Sequence, residues 1–252
     1  MDLLIQVNIN QLDEYSTLFE THHSLQIEVT DFAYPQNYGL QGEKIVEQWQ
    51  NSTYVDRIEG IHGSYFDLIL HSIDPQIAEI SRKRYLWNLG IADQLNAKYC
   101  IFHSNFQSEH NSRNYIKNWL DVHSRFIEKY DNTYDSAIIL ENLRDPNPHL
   151  LATLSKLIEV KYCLDIGYIQ GYSVESFETW FEVLAHDVEI IHLKDINHPG
   201  DELPLGTGKI DWNRVAELVR KYCMEAKLVL EVTGLKAIEQ SITLLEKLNL
   251  LD

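Results

Sequence analysis

The chain has 252 residues, of which 44% are hydrophobic, so it is long enough to bury one large core. Acidic residues outnumber basic residues by 38 to 21, and the formal net charge is −17 at pH 7. Because no run of lysine and arginine interrupts this acidity, the composition argues against a surface that follows the phosphates of nucleic acid.

The three cysteines are widely spaced, and two of them lie in apolar, strand-like runs; they are Cys100, Cys163 and Cys223. An odd number of separated cysteines is typical of free thiols in a reducing compartment. No apolar stretch approaches the roughly 18 residues of a membrane span, and the first ten residues lack the basic start of a signal peptide. We therefore expect a cytoplasmic protein without a membrane partner.

Eight short runs rich in β-branched or aromatic residues are predicted as strands. In chain order they cover residues 3–9, 24–30, 60–65, 99–105, 137–143, 162–167, 190–196 and 227–233. Stretches with helical spacing separate nearly all of them, for example 75–96, 112–130 and 211–223. Asp74 and Asp211 stand where they could cap two of these helices.

This alternation of apolar strands with amphipathic helices is typical of parallel strands that are buried on both faces. Eight such units predict an α/β protein with one (β/α)8 TIM barrel domain over residues 1–252. A doubly wound open sheet is the alternative, but no GxGxxG turn follows the first strand to favour it.

Six successive predicted strands carry an ionisable side chain at the carboxyl end, where enzymes with this fold place their active sites. These residues are His62, His103, Glu141, Asp165, His192 and Glu231. Each follows an apolar run, in which an isolated charge would be costly to bury. Taken singly, each could be a hydrogen-bonded core residue. Taken together, they predict a divalent cation that turns carboxylate repulsion into coordination.

Glu141, Asp165, His192 and Glu231 would form a mostly oxygen site, which suits Mn²⁺, Mg²⁺, Co²⁺ or Zn²⁺. His62 and His103 are candidate ligands of a second ion.

Seven short motifs fall at or near the predicted strand ends. They are HGSYFDL (62–68), FHSN (102–105), LEN (140–142), CLDIG (163–167), HLKD (192–195), PLGTG (204–208) and LEVTG (230–234). Their order resembles the xylose isomerase-like TIM barrel superfamily, in the branch that holds sugar phosphate isomerases and epimerases, inosose dehydratases and endonuclease IV. The resemblance extends over residues 24–245. Similarity to ketose 3-epimerases implies that Glu141, Asp165, His192 and Glu231 bind one metal ion.

Two positions depart from the endonuclease IV pattern. Tyr168 replaces the histidine of a D-x-x-H motif, and Glu202 replaces the histidine of an H-x-x-L-G-x-G motif. A trinuclear phosphodiesterase site would thereby lose two nitrogen ligands of its third metal, which argues against cleavage of DNA. Because the sugar epimerases use the D-x-x-H histidine as a substrate contact, Tyr168 at this position also leaves the identity of the substrate undetermined.

The strand-end residues predict a divalent-metal-dependent isomerase or epimerase that acts on a sugar or on a sugar-like polyol or keto acid. Glu141 and Glu231 would be the catalytic base and acid, transferring a proton through a metal-stabilised enediolate. The alternative is a phosphoester hydrolase with two zinc ions, related to endonuclease IV, that uses His62 and His103 but lacks the third metal site. The sequence leaves the phosphorylation of the sugar, the native metal and homo-oligomer formation open.

Candidate substrate contacts surround the predicted mouth of the barrel. Tyr34, Tyr65 and Tyr168 offer aromatic rings on which a sugar could stack. His198 and Glu202 lie in the loop after the seventh strand, where they could touch a substrate. We expect that substrate to be a small sugar or sugar phosphate rather than a nucleic acid.

Three charged residues near these positions allow more than one interpretation. Asp195 either orients a metal-bound imidazole or contacts the substrate, although it points away from His192 in a regular strand. Lys194 and Arg144 are the nearby candidates to anchor a phosphate group. The PLGTG motif is interpreted as a tight turn into the helix that begins near Asp211.

Overall fold

Eight parallel strands close into a barrel in which each strand pairs with the next one along the chain. A computed structural model describes residues 1–251. Its strands are β1 (Leu3–Val7), β2 (Gln26–Val29), β3 (Ile58–His62), β4 (Tyr99–His103), β5 (Ala137–Glu141), β6 (Lys161–Asp165), β7 (Val188–Leu193) and β8 (Lys227–Leu230). Pairing of β1 with β8 completes the ring, so the predicted TIM barrel is confirmed and the open sheet is excluded.

Helices connect the strands and pack around the barrel. In the described part of the chain they are α1 (Ser16–Thr21), α2 (Leu40–Gln50), α3 (Pro75–Gln94), α4 (Arg113–Tyr130), α5 (His149–Ser155), α6 (Ile166–Tyr172), α7 (Phe177–Leu184), α8 (Trp212–Tyr222) and α9 (Leu235–Lys247). Asp74 and Asp211 cap α3 and α8 as predicted, because each carboxylate accepts a hydrogen bond from a backbone N–H of the first helical turn. Within residues 1–251, no helix combines the length and the apolar character needed to cross a membrane.

The strands are buried on both faces, which explains their nearly continuous apolar sequence. The outer face packs against the helices in one large core, and the barrel interior holds a smaller core of Leu4, Tyr99, Ile101, Ile139, Cys163, Ile190 and Val229. The Tyr99 ring fits inside because β3 carries Gly60 beside it. A Cβ on Gly60 would lie 2.0 Å from that ring.

The predicted strands extended too far at their carboxyl ends. The fourth, predicted over 99–105, ends at His103, and the eighth, predicted over 227–233, ends at Leu230. Single backbone hydrogen bonds continue the ladders beyond these ends, from Ser104 N to Glu141 O and from Glu231 N to Leu193 O. The chain then turns outward into the loops of the barrel mouth. These strand ends place the ionisable residues at one rim.

Candidate metal centre

The barrel brings four of the predicted ligands together at its carboxyl rim. Glu141, Asp165 and His192 lie on β5, β6 and β7, and Glu231 directly follows β8. One donor atom from each residue lies within 4.8 Å of the donor atoms of the other three. The Glu141 side chain is 1% exposed and the Glu231 side chain is 13% exposed. Glu231 is therefore the carboxylate of this cluster that reaches the open mouth.

Several donor atoms of this cluster lack a hydrogen bond, whereas Glu231 Oε2 accepts one from Lys194 Nζ. His192 Nδ1 lies 2.8 Å from Glu141 Oε1, but the two atoms lack the alignment of a hydrogen bond. Both Glu141 oxygens, Asp165 Oδ2 and His192 Nδ1 are buried and lack a hydrogen-bond partner within residues 1–251. Buried acceptors that converge in this way are stabilised by a cation between them. Three carboxylates and one imidazole therefore fit a divalent metal ion.

A carboxylate outside this cluster, Glu28, orients the His192 ring from inside the barrel. Glu28 is fully buried on β2, and its oxygens lie 3.2 and 3.3 Å from His192 Nε2. The carboxylate also accepts hydrogen bonds from Gln6 Nε2 and from the Tyr99 hydroxyl, each at 2.9 Å. Because a carboxylate only accepts, His192 Nε2 carries the proton, and Nδ1 is left to bind a metal ion.

Glu28 contacts a candidate ligand, although the predicted strand ends did not include it. The sequence did contain a signal, because Glu28 is a charged residue inside the apolar run SLQIEVT. In the predicted strand 24–30, Glu28 stands two residues before the end, as Glu141 does in 137–143, but the prediction took residues only from the third to the eighth strand.

Asn142 was also missed, although it follows Glu141 in the LEN motif. Its side-chain carbonyl accepts a hydrogen bond from Asp165 N at 2.8 Å, and its amide donates to Asp165 O at 3.2 Å. This pair of bonds fixes the end of β6 against β5. Asn142 therefore positions the Asp165 carboxylate beside Glu141.

The two remaining histidines also contact Glu141. His103 Nε2 and His62 Nε2 lie 2.9 and 3.4 Å from Glu141 Oε2. Burial favours the neutral form of both rings and lowers the pKa of His103. At His62, attraction to Glu141 outweighs burial, and the pKa is raised. His62, Glu141 and His192 are also close enough together to hold an ion, but this group shares Glu141 and His192 with the first group and does not include His103.

Lys194 lies within the acidic cluster rather than in a loop. Its Nζ is 2.6 Å from Glu231 Oε2 and 2.8 Å from Asp165 Oδ2, and it lies 4.1 Å from the centre of the Tyr168 ring. Burial alone would lower the pKa of Lys194, but the two carboxylates raise it well above its usual value. A Cβ on Gly167 would lie 2.7 Å from Lys194 Cγ, so the glycine of CLDIG leaves room for this side chain. The charge of Lys194 is therefore already paired with two carboxylates, and its role as a phosphate anchor stays a prediction.

Asp195 has a structural role that neither proposed interpretation anticipated. Its buried carboxylate accepts hydrogen bonds from Gly206 N at 3.0 Å, Ile210 N at 3.2 Å and Trp212 Nε1 at 2.9 Å. Gly206 has a φ of +82°, and a Cβ on Gly208 would lie 2.3 Å from Asp195 Oδ1. The PLGTG segment therefore folds around Asp195 before α8 begins, as the predicted tight turn requires.

A pocket of about 320 Å³, here called the mouth pocket, opens beside the metal centre. Glu231 and His62 form part of its lining, together with three predicted substrate contacts, Tyr34, Tyr65 and Glu202. Burial, reinforced by the charge of Glu231, raises the pKa of Glu202.

The other two predicted substrate contacts lie elsewhere. Tyr168 packs over Lys194, and its ring centre is 6.2 Å from that of His103. His198 is exposed in the loop after β7, where its backbone N–H donates to Asp201. Neither residue lines the mouth pocket.

The fold and the site define a TIM-barrel protein with a candidate metal centre at the carboxyl rim. Residues 35–248 match the family described as Xylose isomerase-like TIM barrel, and the chain belongs to this family. No curated protein matches its sequence.

Several solved structures share the fold. The TTHB071 protein from Thermus thermophilus, soaked with ZnCl2, has a TM-score of 0.80 at 20% identity, covering 98% of both chains. A D-tagatose 3-epimerase-like protein has a TM-score of 0.77 at 16% identity, covering 99% of this chain and 97% of the other. Endonuclease IV from Thermus thermophilus has a TM-score of 0.71 at 14% identity, covering 99% of both. At these identities, the likeness establishes a shared fold.

Proposed function

We propose that the protein is a divalent-metal-dependent isomerase or epimerase of a sugar or a sugar-like polyol or keto acid. The observation that carries the proposal is the convergence of buried donor atoms from Glu141, Asp165 and His192, which lack hydrogen bonds, next to the more open Glu231. The D-tagatose 3-epimerase-like neighbour supports the choice of chemistry, since it shares the fold over nearly its whole length.

Glu141, Asp165, His192 and Glu231 would hold the metal ion. When bound, a divalent cation supplies Lewis-acid stabilisation of negative charge on a substrate oxygen. The protein keeps this region apart from water, because only Glu231 of the four is appreciably exposed.

The two glutamates would move the proton from different environments. Glu231 faces the mouth pocket, so its carboxylate can reach the carbon next to a substrate carbonyl and remove or return a proton there. Glu141 is enclosed by His62, His103 and His192; burial alone would raise its pKa, but His192 and His103 hold that pKa well below the usual value. Return of the proton to the opposite face of the same carbon gives epimerisation, and its return to the neighbouring carbon gives isomerisation.

A phosphoester hydrolase with two metal ions is the second candidate, favoured by one observation. Donor atoms of His62, Glu141 and His192 lie close enough together to hold an ion, and His103 Nε2 lies 2.9 Å from Glu141 Oε2. Endonuclease IV shares the fold, but Tyr168 and Glu202 replace the two histidines that the resemblance associates with a third ion.

Metal content and proton exchange distinguish the two candidates. We expect about one Mn, Co, Mg or Zn ion per chain, and solvent deuterium incorporated into the carbon-bound position of a ketose or aldose. Glu231→Gln should abolish incorporation of deuterium. Glu59 is a buried carboxylate outside the metal centre that pairs with Lys98 and Lys227, so Glu59→Gln should retain incorporation. Near-normal turnover by Glu231→Gln with metal still bound would refute the mechanism. Two ions per chain together with phosphoesterase activity would favour the hydrolase.

A further inference from the structure

We propose that the mouth pocket binds the uncharged, polyhydroxylated part of the substrate and rejects a phosphate or carboxylate group there. This inference rests on the proposed function and narrows its substrate class from sugars and sugar phosphates to neutral sugars. The lining that carries it consists of side-chain amides and hydroxyls from Asn8, Asn10, Gln11, Thr30, Asn37 and Thr233.

These polar groups retain unused hydrogen-bonding capacity. Among residues 1–251, no hydrogen bond engages the side-chain amide of Asn10 or the hydroxyls of Thr30 and Thr233. Gln11 uses its carbonyl to accept from the backbone and side chain of Asn8, which leaves its amide N–H groups free. Amides and hydroxyls both donate and accept, so they can match the alternating requirements of successive sugar hydroxyls.

The charge of the pocket is unfavourable to anions. Its charged lining residues are Asp31, Glu202 and Glu231, and no lysine or arginine lines it within the described chain. Asp31 is buried and accepts from Trp49 Nε1 at 2.8 Å and Ile9 N at 3.0 Å, so its carboxylate is a fixed part of the wall. A phosphate bound among these side chains would meet the carboxylates of Asp31 and Glu202, with no lysine or arginine of the lining to pair with it.

The nearby cationic groups are directed elsewhere. Lys194 is paired with Asp165 and Glu231, as described above. The Arg144 guanidinium lies 5.5 Å from the centre of the Tyr172 ring and borders a different cavity, on the side of the β3 to β5 loops. His62, the one basic residue of the lining in residues 1–251, is paired with Glu141.

Two exposed aromatic rings add an apolar surface at the rim of the pocket. Tyr34 is 44% exposed and stacks on Phe66, which is 43% exposed, with ring centres 5.1 Å apart. Exposed aromatic faces beside free amides provide both the C–H and the hydroxyl contacts that a sugar presents. The pocket therefore resembles a site for a neutral sugar more than a site for a phosphate.

The test compares matched neutral and phosphorylated sugars with the metal-loaded full chain. D-tagatose, D-fructose and their 6-phosphates are measured by saturation-transfer NMR for binding and by solvent deuterium incorporation for turnover. We expect each sugar phosphate to bind at least about tenfold more weakly than its neutral partner at low salt. This difference in affinity, here called the gap, should decrease as salt is added.

A pair of charge variants tests the location. Asn10→Lys places an ammonium group in the mouth pocket and should narrow the gap severalfold. Asn132→Lys adds the same charge to an exposed asparagine just before β5, at the opposite end of the barrel, and should leave the gap unchanged. An unchanged gap in Asn10→Lys would overturn the assignment to this pocket.

The outcomes separate this inference from the proposed function. If the phosphates bind and exchange as well as the neutral sugars, the neutral-substrate inference is overturned and the isomerase or epimerase stands. If no neutral or phosphorylated ketose or aldose binds or exchanges, the proposed function fails, and the inference fails with it.

Discussion

Removal of the charge on Glu28 should weaken metal binding without leaving a cavity inside the barrel. In Glu28→Gln the shape is nearly preserved, and the new side-chain carbonyl can still accept from His192 Nε2. A hydrogen bond to a charged group contributes about 1–1.5 kcal/mol more than a bond between neutral groups. The imidazole is then a less basic ligand, and we expect the metal Kd to rise about tenfold, which corresponds to about 1.4 kcal/mol.

Calorimetric titration of the metal-free protein with Mn²⁺ or Zn²⁺ measures this change, and imidazole ¹⁵N shifts report which His192 nitrogen carries the proton. Glu59→Gln is the matched control, because it removes an equally buried carboxylate that contacts Lys98 and Lys227 rather than a candidate ligand. A Glu28→Gln variant whose Kd stays within twofold of wild type, or moves no more than that of Glu59→Gln, would refute the positioning role.

Two buried groups outside the metal centre predict opposite pH dependences of stability. Burial raises the pKa of Asp145 to about 6, so the free energy of unfolding of the wild type falls by roughly 1 kcal/mol as the pH rises from 5 to 8, a loss that Asp145→Asn should escape. Burial lowers the pKa of His71 to about 4, so the free energy of unfolding of the wild type falls by roughly 2 kcal/mol as the pH falls from 7 to 4.5, a loss that His71→Gln should escape. Urea unfolding at paired pH values measures both differences, and a difference between variant and wild type that does not vary with pH would contradict the corresponding assignment.

The strand-end prediction worked because the barrel converts chain order into proximity. Once eight strands are recognised, the last residue of each must lie at one rim, so the meeting of Glu141, Asp165 and His192 required only the strand boundaries. Glu28 and Asn142 could not be assigned in this way. Glu28 contacts His192 across the barrel interior, which depends on its side chain pointing inward from β2. Asn142 acts through hydrogen bonds to the backbone of the neighbouring strand.

Lys194 shows what alternation along a strand can reveal beyond the strand end. Side chains two residues apart point to the same face, so an inward His192 places Lys194 on the same side and Asp195 on the other. The structure follows this rule: Lys194 contacts Asp165 and Glu231, and Asp195 faces the PLGTG segment. The lysine and the three histidines already offset part of the negative charge, so crowded carboxylates alone do not require a metal ion. The support for a metal ion is instead the orientation of the donor atoms, because Glu141 Oε1 and His192 Nδ1 face each other at 2.8 Å without a hydrogen bond.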